Sequence, residues 1–231
     1  MKKNSPVLVV AAHPDDEVLG AGGTMAKLAA AGHRVEVLIL GEGATSRCAR
    51  REQADAAATD ALAAAAQRAA DCLQVAKVSC LGLPDNRFDS LPLLDVVKPI
   101  EAHVAALNPE LVFTHHGGDL NIDHAVTHRA VLTATRPVPG SGVRAVYAFE
   151  VLSSTEWAFQ QLPPAFAPNV FVDIAASLDA KLAAMAEYES ESRAFPHPRS
   201  PEAITALARL RGSAIGVDAA EAFGLVRQRG L

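Results

Sequence analysis

Short runs rich in Val, Ile and Leu alternate along the chain with longer Ala-rich amphipathic segments, and this alternation restricts the fold more than any other feature. A run such as VLVVAA at residues 7–12 is apolar at every position, which suits a strand covered on both faces. The segments between runs are long enough to be crossover helices, so successive strands are expected to lie parallel. The expectation is an α/β fold: a Rossmann-like, mostly parallel sheet with helices on both faces. Strands are placed at Val7–Ala12, Val35–Leu40, Lys77–Leu81, Leu111–His115, Arg144–Phe149 and Val170–Asp173. Helices fall near Gly20–Ala31, Glu52–Leu73, Leu93–Leu107, Asp123–Ala134, Leu178–Tyr188 and Pro201–Arg211. Pro99 lies inside the third helix and is expected to kink or split it, because it removes one backbone donor.

A chain of 231 residues suffices for one α/β domain with a well-buried core and is short for two. Half of the residues are hydrophobic but only 5% are aromatic, and Ala is abundant, which favours closely packed helices over a β-sandwich. The formal charge of −5, with Arg and Lys scattered, leaves no basic footprint for nucleic acid or an anionic membrane. A small-molecule partner is expected instead, with a homo-oligomer left open. No apolar stretch reaches the roughly 20 residues of a membrane helix. The apolar run behind MKKNSP is too short for a signal peptide. Cys48, Cys72 and Cys80 are odd in number and lack C-x-x-C spacing, which fits reduced thiols in the cytoplasm.

Directly after the first strand comes HPDDE, His13 to Glu17. Carboxylates crowded at the end of a buried strand repel one another unless something positive sits among them. His13 and Asp16, three apart on a tight turn, can aim at one point, and imidazole with carboxylate is a common ligand pair for zinc. Asp15 then lies beside that point without binding it. A catalytic zinc site needs a third protein ligand and an open position. FTHHGGDLNIDHAVTH, residues 113–128, follows the fourth strand and carries His115, His116, Asp119, Asn121, Asp123 and His124. In the common doubly wound order, the first and fourth strands flank the switch point, where ligands bind beyond the carboxyl ends of the strands. His124, at the start of a helix, is the third ligand on this reading. A helix N-terminus attracts acids through its dipole alone. That accounts for Glu17 and tolerably for Asp15, but not for His13 or the second cluster.

The pair AHPDDE and DLNIDH resembles the PIG-L or LmbE-like N-deacetylases, and the likeness in element order covers the first two thirds of the chain. The resemblance implies a zinc enzyme that removes acetyl groups from amino sugars or their conjugates, releasing acetate and a free amine. It implies one zinc per chain on His13, Asp16 and His124, with Fe2+ as another possible ion, and Asp15 as general base. It also implies a single domain, with a metal-binding core at 1–135 and a more irregular C-terminal part at 136–231. Many family members carry a His three positions before the last ligand, where this chain has Asn121. Asn donates a hydrogen bond to an oxyanion but delivers no proton, so the acid role passes to protonated Asp15, His116 or His197. Asp123 is expected to orient a neighbouring side chain from outside the coordination set.

Glu42 and Arg47 lie in GEGATSRCAR after the second strand and are expected to bind substrate, Glu42 through sugar hydroxyls and Arg47 through an anionic group. His197, in FPHPRSPE, is grouped with them. Two other readings compete. LGAGGT at residues 19–24 imitates a dinucleotide-binding turn of a Rossmann-type oxidoreductase, with Glu42 where a ribose-binding acid belongs. Its glycines do not follow G-x-G-x-x-G, however, and Asp15 and Asp16 occupy the turn where a pyrophosphate needs an electropositive nest. A non-catalytic sugar-binding protein on the same fold is expected to have lost part of the metal set, which is complete here.

Overall fold

A computed structural model describes residues 4–45 and 56–230. The first five strands are β1 (Pro6–Ala11), β2 (Arg34–Gly41), β3 (Lys77–Leu83), β4 (Leu111–His115) and β5 (Ala145–Phe149). Between them run α1 (Asp16–Ala30), α2 (Ala56–Cys72), α3 (Leu93–Leu107) and α4 (Ile122–Ala134). The last part of the chain adds β6 (Val170–Asp173), α5 (Leu178–Ala186), α6 (Pro201–Ser213) and β7 (Ala220–Gln228). All seven strands form one sheet in the order β3-β2-β1-β4-β5-β7-β6. The first five are parallel, and β7 runs antiparallel to both β5 and β6. Strand order reverses between β1 and β4, which makes their carboxyl ends the expected ligand crevice.

Strand β1 shows why both faces are covered. Val7, Val9 and Ala11 point into one core with α1, α2 and α5, while Leu8, Val10 and Ala12 point into another with α3 and α4. The period of two thus splits one apolar run between two layers of helix. No helix among the described residues is long and apolar enough to cross a membrane.

Three features differ from the sequence reading. Helix α3 runs through Pro99 as one element, because Val96, Val97 and Ile100 on either side of it stay buried against the sheet. Strand β7 has no counterpart among the expected strands; it lies inside the sheet and turns the irregular C-terminal third into two further strand pairings. Helix α1 starts at Asp16 rather than Gly20, so Asp16 and Glu17 sit in its positive first turn. The expected start of α2 at Glu52 lies outside the described residues.

It is α1, not α3, that breaks. Ala21 leaves helical geometry at φ −143° and ψ 15°, in the middle of LGAGGT. The helix here presses on its neighbours: a Cβ on Gly20 would lie 2.3 Å from the Phe149 ring, and one on Gly23 would lie 2.8 Å from Ile174. In a regular helix the Gly23 N–H would donate to Leu19 O. Instead, Gly23 and Thr24 donate to the Glu221 carboxylate at 2.9 and 2.7 Å, and Lys181 donates to Leu19 O at 2.8 Å. Lys181 and Glu221, both buried, are themselves paired at 2.6 Å. The turn that imitates a phosphate loop therefore spends its donors on a carboxylate from β7.

Candidate metal centre and active site

His115 ends β4, and its Nε2 accepts the Ala12 N–H at 2.8 Å, which ties the carboxyl ends of β1 and β4 together. The next residue along β1 opens the turn that carries His13, Asp15 and Asp16. Asp16 is fully buried, and its Oδ2 accepts the His13 backbone N–H at 2.9 Å. The same oxygen lies 3.2 Å from His13 Nδ1 and 3.2 Å from His124 Nε2. All three ligand atoms fall within 4.8 Å of one another. Ligand bonds of 2.0–2.1 Å at tetrahedral angles place neighbouring ligand atoms about 3.3 Å apart. The observed spacings match two edges of such a tetrahedron.

The far side of each ring is also occupied. His13 Nε2 meets Asp123 Oδ2 at 2.9 Å and Asp85 Oδ1 at 3.2 Å, and His124 Nδ1 meets Asp119 Oδ2 at 2.7 Å. A carboxylate behind an imidazole keeps the proton on the far nitrogen and leaves the near one free to ligate. Asp123 is anchored in turn by the Phe88 N–H at 2.9 Å. Asp16 Oδ1, on the carboxylate between the two rings, is buried without a hydrogen-bond partner, a costly state that a cation would relieve.

The electrostatics agree. Burial opposes a charged His13, but hydrogen bonds to Asp123 and Asp16 outweigh it and raise its pKa to about 10. Burial likewise opposes a charged His124, yet the Asp16 charge and the Asp119 hydrogen bond raise it to about 9. Burial would lift Asp16, and the His124 charge, with hydrogen bonds from the His124 and His13 rings, holds it well below the usual carboxylate range. The carboxylates here demand positive charge, whether from two imidazolium rings or from a divalent ion that displaces their protons.

Asp15 stands beside this cluster at φ 101°, a left-handed conformation that costs a residue with a Cβ about 1–3 kcal/mol and persists only where the surroundings impose it. Its N–H donates to Glu17 Oε2 at 3.1 Å, and Tyr188 donates to Glu17 Oε1 at 2.5 Å. Its own Oδ2 accepts from Arg199 at 2.7 Å. Burial pushes the Asp15 carboxyl well above the usual range despite the Arg199 charge, which suits a group that takes up and returns a proton.

The other expected residues are distributed unevenly. Asn121 is the N-cap of α4, its Oδ1 accepting the Asp123 N–H at 2.9 Å, so its Nδ2 is the atom left to donate elsewhere. His116 Nε2 donates to Pro164 O at 2.7 Å and its ring abuts Phe166. His197 stands outside the His/Asp cluster, its ring against Trp157 and its Nδ1 accepting the Arg199 N–H at 3.1 Å. Glu42 follows Gly41, which lies against the His13 ring, and its carboxylate accepts the Thr45 hydroxyl at 2.7 Å. Arg47 lies outside the described residues. Residues that sequence reasoning left without a role include Asp85 and Asp119, behind the two rings, and Arg199. Only Asp119 had a signal, its place in the second motif.

A mostly parallel sheet that presents two imidazoles and a carboxylate at its switch point, each ring backed by a further carboxylate, defines an α/β enzyme able to bind a divalent metal there. Within that class, residues 8–135 match the GlcNAc-PI de-N-acetylase (PIG-L) family, and the chain belongs to it. It is 27% identical over 198 residues to a probable N-acetyl-alpha-D-glucosaminyl L-malate deacetylase 2 of Bacillus cereus, covering 82% of this chain and 84% of that one. Among solved structures, a conserved protein of Thermus thermophilus superimposes with TM-score 0.76 at 27% identity, covering 98% of this chain and 97% of that one. The 4-carboxy-2-hydroxymuconate hydratase GalB of Pseudomonas putida does so with TM-score 0.77 at 25% identity, covering 98% of each.

Proposed function

We propose that this chain is a zinc-dependent deacetylase acting on an N-acetylated amino sugar or amino-sugar conjugate. The observation that carries the reading is the spacing of His13, Asp16 and His124 as edges of a tetrahedron, with Asp15 held beside them. Those three residues would hold one ion, zinc for preference because two imidazoles and a carboxylate suit it, with Fe2+ as a substitute. When bound, such an ion supplies Lewis acidity, which acidifies water and polarises a carbonyl.

The remaining chemistry falls to the chain. Asp15 takes a proton from the attacking water and returns it to the amine nitrogen as the amide C–N bond breaks, since an amide anion is too poor a leaving group to depart unprotonated. Asn121 Nδ2 donates to the carbonyl oxygen as negative charge builds there. Asp123 and Asp119 hold the two ligand rings in one tautomer and orientation. Glu42 meets sugar hydroxyls, and Arg47 an anionic part of the conjugate. The amino-sugar substrate class is supported by family membership and by the Bacillus cereus relative, a probable glucosaminyl malate deacetylase.

The test is incubation of zinc-loaded protein with a panel of N-acetylated sugars and conjugates, followed by mass spectrometry for loss of acetyl. Acetate release that stops on chelation and returns with zinc supports the reading. Water addition to an unsaturated tricarboxylate, with every amide left intact, replaces it with a hydratase like the Pseudomonas relative.

A further inference from the structure

Arg199 enters the site from the C-terminal third, beyond the residues that match the family. Its guanidinium makes three contacts. One nitrogen, Nη1, donates to Asp15 Oδ2 at 2.7 Å and to Glu191 Oε2 at 3.3 Å, while Nε donates to Ser153 Oγ at 2.8 Å. Asp15 and Ser153 share an unusual property: both hold left-handed backbone, at φ 101° and 73°, where a Cβ is unfavourable. They belong to different loops, one after β1 and one after β5. The Ser153 loop reaches the metal cluster through Ser154, whose Oγ accepts the Asn121 N–H at 3.2 Å and lies 3.4 Å from His124 Nδ1.

We propose that Arg199 is a positioning residue, which fixes the plane of the Asp15 carboxylate and locks the Asp15 turn against the Ser153–Ser154 loop. With Oδ2 held, Asp15 offers Oδ1 for proton transfer. A planar fork bonds Asp15 and Ser153 from two nitrogens held at a fixed angle, whereas an ammonium is a single rotating point charge. Strained backbone survives where neighbours over-determine it, and here one side chain grips both strained residues. The Arg199 side chain is 23% exposed, so a small solute can reach its place from the cleft. The inference rests on the reading above in giving Asp15 the proton.

The experiment compares wild type, Arg199→Met, Arg199→Lys, Asp15→Asn and the Asp15→Asn/Arg199→Met double variant. Metal content, melting temperature, kcat and KM are measured on an amide substrate that the panel reveals. A crystal structure of each Arg199 variant is determined as well. Arg199→Met should keep its metal and KM while kcat falls on the order of 10²-fold, the scale of a catalytic group displaced by about 1 Å. Arg199→Lys should recover only part of that loss. Added guanidinium ion should raise kcat of Arg199→Met and leave Asp15→Asn unchanged. In the Asp15→Asn background, removal of Arg199 should cost almost nothing more, because both act through one carboxylate. Equal losses with and without Asp15, or a loss that tracks metal content or melting temperature, overturns the proposal. If no amide is hydrolysed by wild type, the deacetylase reading fails, and the crystal structures decide this one. Asp15 and Ser153 should relax from positive φ in both variants, and unchanged angles overturn the positioning role.

Discussion

Replacing Lys181 with Met should lower stability by about 3 kcal/mol, because it leaves Glu221 charged and buried without its cation. The ammonium makes two buried bonds, to Glu221 at 2.6 Å and to Leu19 O at 2.8 Å, and Met keeps most of the stem while removing both. Breaking a buried pair by deleting one partner costs about 3–5 kcal/mol. Glu221 retains the Gly23 and Thr24 N–H groups, which argues for the lower end. In a chain of 231 residues, each kcal/mol moves the melting temperature by about 2–4 °C, so a fall of about 6–12 °C is expected. Calorimetry on the metal-free and zinc-saturated protein measures it. The double variant Lys181→Met/Glu221→Gln should melt above the single one, since it also removes the uncompensated charge. A fall under about 2 °C, or a double variant that loses the full sum of both single changes, would falsify the view that this pair secures the break in α1.

The other predictions concern the site. Alanine at His13, Asp16 or His124 should each lower bound zinc well below one ion per chain by elemental analysis; full content in all three would exclude this ligand set. Asp15→Asn should retain zinc yet lose on the order of 10²–10⁴ in kcat, whereas Asp16→Asn should lose the metal first, and equal metal loss in both would erase that division of roles. Since His13 and His124 are protonated up to about 10 and about 9 without metal, an ion must displace two protons. Zinc affinity should then climb up to about 100-fold per pH unit between about pH 6 and pH 8 in chelator competition, and a flat profile would mean the rings bind no ion. Asn121→Ala should remove the α4 cap and about 1 kcal/mol of stability, together with a moderate factor in kcat; unaltered melting would show that the cap bond contributes nothing.

Much of the framework was legible from the residues in order. Strands β1 to β5 fall within a few residues of their expected places, because a run buried on both faces and a turn that ends it are local properties of sequence. The same holds for the two motifs: a switch point between β1 and β4 needs only the strand order that crossover helices favour, and it brings HPDDE and DLNIDH to one edge. What local pattern could not supply is the choice of partner for a buried polar group. Asp85 behind His13 and Arg199 on Asp15 look in sequence like any loop acid or base, and Asp119, though inside the second motif, showed no sign that it would back His124. The glycine spacing of LGAGGT already argued against a phosphate turn, but the partner of its N–H groups came only with β7, itself invisible because its place is set by pairing with β5 and β6, which delivers Glu221. Periodicity reports which face of an element is buried, so the sequence determined the sheet, its helices and the edge where the acids gather. Burial then makes every unpaired charge costly, and only the folded chain, returning from residues 181, 199 and 221, decided which groups neutralise which.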